Sequence, residues 1–82
     1  MTTTSTGDGD WTSVVGSLTI SDDVVIAHDV DLDGIVNMTG SLTINASKTL
    51  DTTGSNHALT VTGQVSVTGT LTGNASAITI GK

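Results

Sequence analysis

From Leu18 to Ile44 the apolar residues come in pairs with one position between them: Leu18/Ile20, Val24/Ile26, Val30/Leu32, Val36/Met38 and Leu42/Ile44. Each pair begins six residues after the last. Alternation of this kind marks a half-buried strand, and so short a beat leaves room only for a corner between strands. Hairpins in a sandwich or open sheet need longer strands and fewer turns. The pattern therefore predicts an all-β fold: a short single-domain β-solenoid (β-helix) of about four three-sided coils of ~18 residues.

Residues about one coil apart should then stack. One expected column is Val24, Leu42, Leu59 and Ile78, followed two residues on by Ile26, Ile44, Val61 and Ile80. A second is Val14, Leu32, Leu50 and Val67; a third is Leu18, Val36 and, after a gap, Leu71. The gap falls at 52–56, read as a loop bulging from the third coil. The pentapeptide GSLTI occurs twice, at 16–20 and 40–44. The 24-residue offset is one coil plus one face, so the copies are expected on neighbouring faces. Gly16, Gly34, Gly40, Gly63, Gly69 and Gly73 fall between pairs, where corners call for permissive φ. Residues 1–10 are expected as an N-terminal arm and 11–82 as the solenoid domain.

The 82 residues contain no Cys, Pro, Phe or Tyr and a single Trp, Trp11. No disulfide or thiolate metal site can form, and the core must come from Val, Leu and Ile. A chain this small is marginal alone, so association with further copies or another chain is expected. All eight acidic residues are Asp, only Lys48 and Lys82 are basic, and the net charge is −6. That balance argues against nucleic acid and anionic membranes, which need clustered Lys and Arg. No stretch approaches the ~18 apolar residues of a membrane span, and the opening MTTTSTGDGD lacks the basic and apolar regions of a signal peptide.

Asp29-Val30-Asp31-Leu32-Asp33-Gly34 matches the first half of a calcium loop, but its twelfth position is Gly40 rather than Glu. Val30 and Leu32 are needed in the core, so Asp29, Asp31 and Asp33 are expected as a solvated outward row. Together with Asp22 and Asp23 they are weak candidates for a cation site, which would relieve the repulsion of clustered carboxylates. Gly7-Asp8-Gly9-Asp10 occurs once and reads as a turn. His28, at a corner, and His57, beside the loop, lack partners at ligand spacing. The Asn-x-Ser/Thr triplets at Asn37, Asn45 and Asn74 read as corners. An outward file of Val25, Thr43, Thr60 and Thr79, beside Ala27, Asn45, Thr62 and Gly81, does not make a regular Thr-x-Thr array. No nucleophile elbow occurs, and a stub without aromatics or long loops offers no cleft, so neither enzyme activity nor a cofactor is expected.

Gly9-Asp10-Trp11, then Ser21-Asp22-Asp23-Val24-Val25-Ile26 and Val30-Asp31-Leu32-Asp33, resemble the opening of right-handed β-helix segments in bacteriophage structural proteins and bacterial surface adhesins. The resemblance spans Gly7 to Asp33. It implies a Gly-x-Trp segment capping the helix and a structural role without catalytic residues. The expectation that follows is a virion structural protein, a capsid decoration (cement) or head-fibre protein of a tailed bacteriophage, on the capsid surface with the major capsid protein as partner. The alternative is a subunit of an extracellular filament or adhesin. The expected contact residues are Thr2, Thr3 and Thr4 of the arm with Trp11, or else Ile78 and Ile80 of the last coil.

Overall fold

A computed structural model describes residues 2–53 and 57–81. The first coil holds β1 (Thr2–Thr4), β2 (Gly9–Asp10), the short helix α1 (Trp11–Val14) and β3 (Thr19–Ile20). The second holds β4 (Asp23–Ile26), β5 (Val30–Asp31) and β6 (Val36–Met38). The third holds β7 (Leu42–Ile44), β8 (Thr49–Asp51) and β9 (Leu59–Val61), and the fourth β10 (Val65–Val67), β11 (Thr70–Thr72) and β12 (Ile78–Ile80). Each strand pairs in parallel with the strand one coil away. Three four-stranded sheets result: sheet A is β1-β4-β7-β10, sheet B is β2-β5-β8-β11 and sheet C is β3-β6-β9-β12. The chain is thus a β-solenoid of four three-sided coils.

The alternating pairs point inward as the periodicity requires. Val24, Ile26, Val30, Leu32, Val36, Met38, Leu42, Ile44, Leu50, Leu59 and Val61 are all buried. Parallel pairing sets like residues above one another, so apolar files fill the interior. In sheet A, Val24 stacks on Leu42 and Leu42 on Val65. In sheet B, Val30 stacks on Leu50 and Leu50 on Leu71. In sheet C, Val36 stacks on Leu59 and Leu59 on Ile78.

These files correct the expected columns. Val24–Leu42 and Leu59–Ile78 do stack, but on different sheets, and Leu59 fills the gap after Leu18 and Val36. Val14, Leu32, Leu50 and Val67 form no column, and Leu71 belongs to sheet B. The cause is uneven corners. The step from Val24 to Leu42 is 18 residues, but from Leu42 to Val65 it is 23 and from Leu50 to Leu71 it is 21. The connection from β8 to β9 lengthens the third coil, so an 18-residue count there slips by one face. Of the expected loop, Thr52 and Thr53 lie in that connection, while Gly54, Ser55 and Asn56 lie outside the described residues. The two GSLTI copies do sit on different faces, in sheets C and A.

The division at residue 10 is not a structural boundary. Thr2, Thr3 and Thr4 pair with Asp23, Val24 and Val25 as the end strand of sheet A, so the expected arm is part of the first coil. The corner glycines also need a second explanation. Of the six, Gly16 alone has positive φ, at 121°. At Gly63 a Cβ would sit 2.5 Å from the Gly40 carbonyl oxygen, so this corner is glycine because the backbone of the coil beneath passes too close for a side chain.

Candidate functional site

The aspartates that looked like half a calcium loop are held apart by the ladder. Asp29 Oδ1 accepts a 3.1 Å hydrogen bond from Thr49 N in the coil above, while Asp8 Oδ1 accepts one of 2.9 Å from Asp29 N. Asp33 faces the other way and accepts bonds from the hydroxyl and the amide of Thr12. The Thr12 hydroxyl holds the Asp33 carboxyl below the usual carboxylate range, against a smaller upward pull from desolvation. Asp31 stacks between Asp10 and Asp51 on the outer face of sheet B. Asp23 Oδ1 accepts from Ser41 N at 2.8 Å and Asp22 Oδ2 from the Thr3 hydroxyl at 2.8 Å. Asp8, Asp23, Asp29 and Asp33 thus tie one coil to the next by accepting from backbone amides, as N-cap side chains do. Among the described residues, no three His, Cys, Asp or Glu side chains are grouped so as to hold a metal ion, and no pocket opens.

Neither histidine gathers a catalytic set. His28 Nδ1 lies 2.9 Å from Ser5 Oγ, which also accepts a 2.8 Å bond from Ala27 N. Ser5 is 3 % exposed, so this is an interior polar brace rather than an accessible nucleophile. His57 is half-buried beside the connection from β8 to β9. Sequence reasoning missed Ser5 because a lone serine in a threonine-rich opening gives no sign of an inward position. It also missed Thr52, 0 % exposed, whose Oγ1 donates to Gly73 O at 2.9 Å and accepts from Asn74 Nδ2 at 3.1 Å. Asn74 also donates to Asp51 Oδ1 at 2.8 Å. The Asn74 triplet is therefore a corner brace.

The two ends of the solenoid differ. At the first coil the inward positions of sheet A are Thr3 and Ser5, and α1 closes the interior beside sheet B. Trp11 is 0 % exposed and its Nε1 donates to Ser17 O at 2.9 Å. It covers the first coil as expected, but it is enclosed there and presents no surface to a partner. Val14 is buried with it, and Val15, Leu18 and Ile20 pack against this group. Thr2 and Thr4 are exposed on β1, whose outer edge carries no further strand among the described residues.

At the fourth coil the inward residues are Val65, Val67, Leu71, Ile78 and Ile80. Their partners one coil down, Leu42, Ile44, Leu50, Leu59 and Val61, are buried. The same files emerge into solvent at the top, where Val67 is 45 % and Ile80 47 % exposed. The expected contact residues Ile78 and Ile80 thus belong to an apolar ring closed by nothing in the described chain. Residues 63–81 also contain no charged side chain, since all eight aspartates lie between Asp8 and Asp51.

The outer face of sheet C differs from the threonine files expected. In register it carries Thr19, Asn37, Thr60 and Thr79, with Ser21, Thr39, Thr62 and Gly81 beside them. Among the described residues, no helix is long and apolar enough to cross a membrane. The chain matches no family model, no curated protein and no solved structure.

Proposed function

We propose that this chain is a non-catalytic structural protein of a virion, a decoration (cement) protein on the capsid of a tailed bacteriophage. The observation that carries the reading is where binding capacity remains. Most of the carboxylates and the buried hydroxyls that could have made a site brace one coil to the next, and the open surfaces are the two ends of the solenoid. Such a molecule works by docking. The phage assignment is supported by the resemblance over Gly7–Asp33. In the resembled proteins a Gly-x-Trp segment caps the coil, and Trp11 has that position here.

The contact with the shell is assigned to the outer edge of β1. Its unpaired backbone groups and the exposed Thr2 and Thr4 hydroxyls suit strand addition by a shell subunit. End-to-end growth into a filament needs two complementary open ends, and the first coil offers hydroxyls and a helix instead.

The test is a density gradient of the source material, with this chain followed by mass spectrometry. The chain should band with DNA-containing particles in fixed ratio to a major shell protein. Thr2→Lys combined with Thr4→Lys, both on exposed positions, should release it from particles while leaving it folded. Banding with empty fibres or cell envelopes would overturn the reading in favour of an extracellular filament or adhesin.

A further inference from the structure

We propose that the open fourth coil binds a second copy of this chain, end to end about a two-fold axis, giving a closed dimer with the two first coils at its far ends.

Three observations lead there. First, the end is apolar where it should be covered. Val65, Val67, Leu71, Ile78 and Ile80 are the inward residues of three files whose members one coil down are buried. Solenoids normally finish in a polar cap, and an uncapped coil exposes both its core and its strand edges. Second, the charge pattern selects the occupant. A molecule with a net charge of −6 repels its own copies. The end on which two copies meet without opposing carboxylates is the fourth coil, since residues 63–81 have none whereas the first coil carries Asp8 and Asp10. Stacking the fourth coil on another copy's first coil would set the apolar ring against Thr3, Asp8, Asp10 and α1. Third, the two ends are unlike, so the complement of the fourth coil within this chain is the fourth coil itself. A patch that pairs with itself gives an isologous, closed contact.

The area fits a modest affinity. Four coils at ~4.8 Å each make the solenoid axis the shortest direction of the molecule, so an end is spanned by the two larger extents, 30 and 25 Å, with a three-sided outline. An end of that size offers on the order of 500 Å² per copy, or about 1,000 Å² for the pair, near the threshold for a specific interface. A dissociation constant in the micromolar range is the expectation set for so small a contact. This inference does not rest on the proposed shell. A chain that dimerises but binds no particle keeps the dimer and loses the shell, and a monomer that binds particles does the reverse.

The experiment is sedimentation equilibrium of the chain Met1–Lys82 up to about 200 μM, a range that brackets micromolar affinities. The expected result is a reversible step from 8.2 kDa to twice that mass and no further. Val67→Asp and Ile80→Asp should each weaken the dimer more than about tenfold by bringing carboxylates into the contact. Should either fail to fold by circular dichroism, Ser66→Asp with Thr79→Asp, both exposed, supplies opposing carboxylates at the rim without touching the files. It should weaken the dimer severalfold.

Orientation is read from a spin label at Ser13→Cys on α1. With four coils at ~4.8 Å each, end-to-end pairing puts the two labels about 40 Å apart, and head-to-tail stacking about 20 Å. A monomer throughout the range, masses climbing past two copies, labels near 20 Å, or a dimer indifferent to the variants that fold would each overturn the proposal.

Discussion

Replacing Trp11 by Ala should remove a large part of the fold's stability. The indole is fully enclosed, and a Trp of that kind removes roughly 150–250 Å² from water, about 4–6 kcal/mol at ~25 cal/mol per Å². Its Nε1 bond to Ser17 O adds about 1 kcal/mol net. Partial collapse of the space left behind brings the observed cost of Trp→Ala to about 3–5 kcal/mol. A domain of 82 residues has roughly 4–12 kcal/mol in all, so the variant should be near unfolding at room temperature. Trp11→Phe separates the two contributions. It keeps most of the apolar area and loses the hydrogen bond and part of the ring, so about 1–2 kcal/mol is expected. The assay is urea unfolding followed by circular dichroism, because the variants lose the one fluorophore. In the wild type, Trp11 emission should be blue-shifted from free tryptophan and should shift red with the same midpoint as the β signal. A loss below about 1 kcal/mol for Trp11→Ala would refute the idea that this residue closes the first coil.

At Gly63 an added Cβ meets the Gly40 backbone at 2.5 Å, so Gly63→Ala should cost about 1–3 kcal/mol. Gly7→Ala, with nothing within 4 Å, should stay within about 0.5 kcal/mol in the same urea unfolding assay. Asp31 lies in register between Asp10 and Asp51, and like charges directly opposite destabilise a sheet. Asp31→Asn should therefore raise the urea midpoint at low salt, and added salt should shrink the difference. Asp33 is held low by Thr12, so its ionised form stabilises the fold above the unfolded carboxylate value of about 3.9. That contribution disappears as pH falls through the lowered folded value. Thr12→Val should bring Asp33 back toward its ordinary value in a carbon-detected titration and flatten the acid limb of the stability curve, lowering stability above the unfolded carboxylate value and leaving it unchanged below the lowered folded one.

The solenoid itself was legible because its signal is local. Each alternating pair from Leu18/Ile20 to Leu42/Ile44 states its own inward face, and the six-residue beat states the corners. Stacking was only half legible because it depends on corner length, which apolar spacing does not encode. The connection from β8 to β9 displaced Leu59 by one face in the count, and every later column inherited the slip. The opening misled for a related reason. Thr2–Thr4 lacks apolar residues, since at an end coil the inward positions can be polar, as Thr3 and Ser5 are. The aspartates were correctly placed outward, at Asp31 and Asp33, but their bonding partners lie about a coil away, beyond the reach of a linear motif. Ile78 and Ile80 could be suspected from the sequence. The rest of their ring, Val65, Val67 and Leu71, needed the register.

The pairing scheme also sets an order of events in time. Among the described strands no partner lies nearer than 18 residues along the chain. No hairpin or local turn can start the fold, and the first contacts must close a loop a full coil long before any ladder forms. Once two coils have met, each later strand adds to a waiting edge at the cost of one closure. Growth then resembles a zipper with a slow first tooth. On a ribosome, β1 to β3 find their partners only as the segment from Asp23 to Met38 emerges, and the apolar strands β10 to β12 arrive later, onto a template already built.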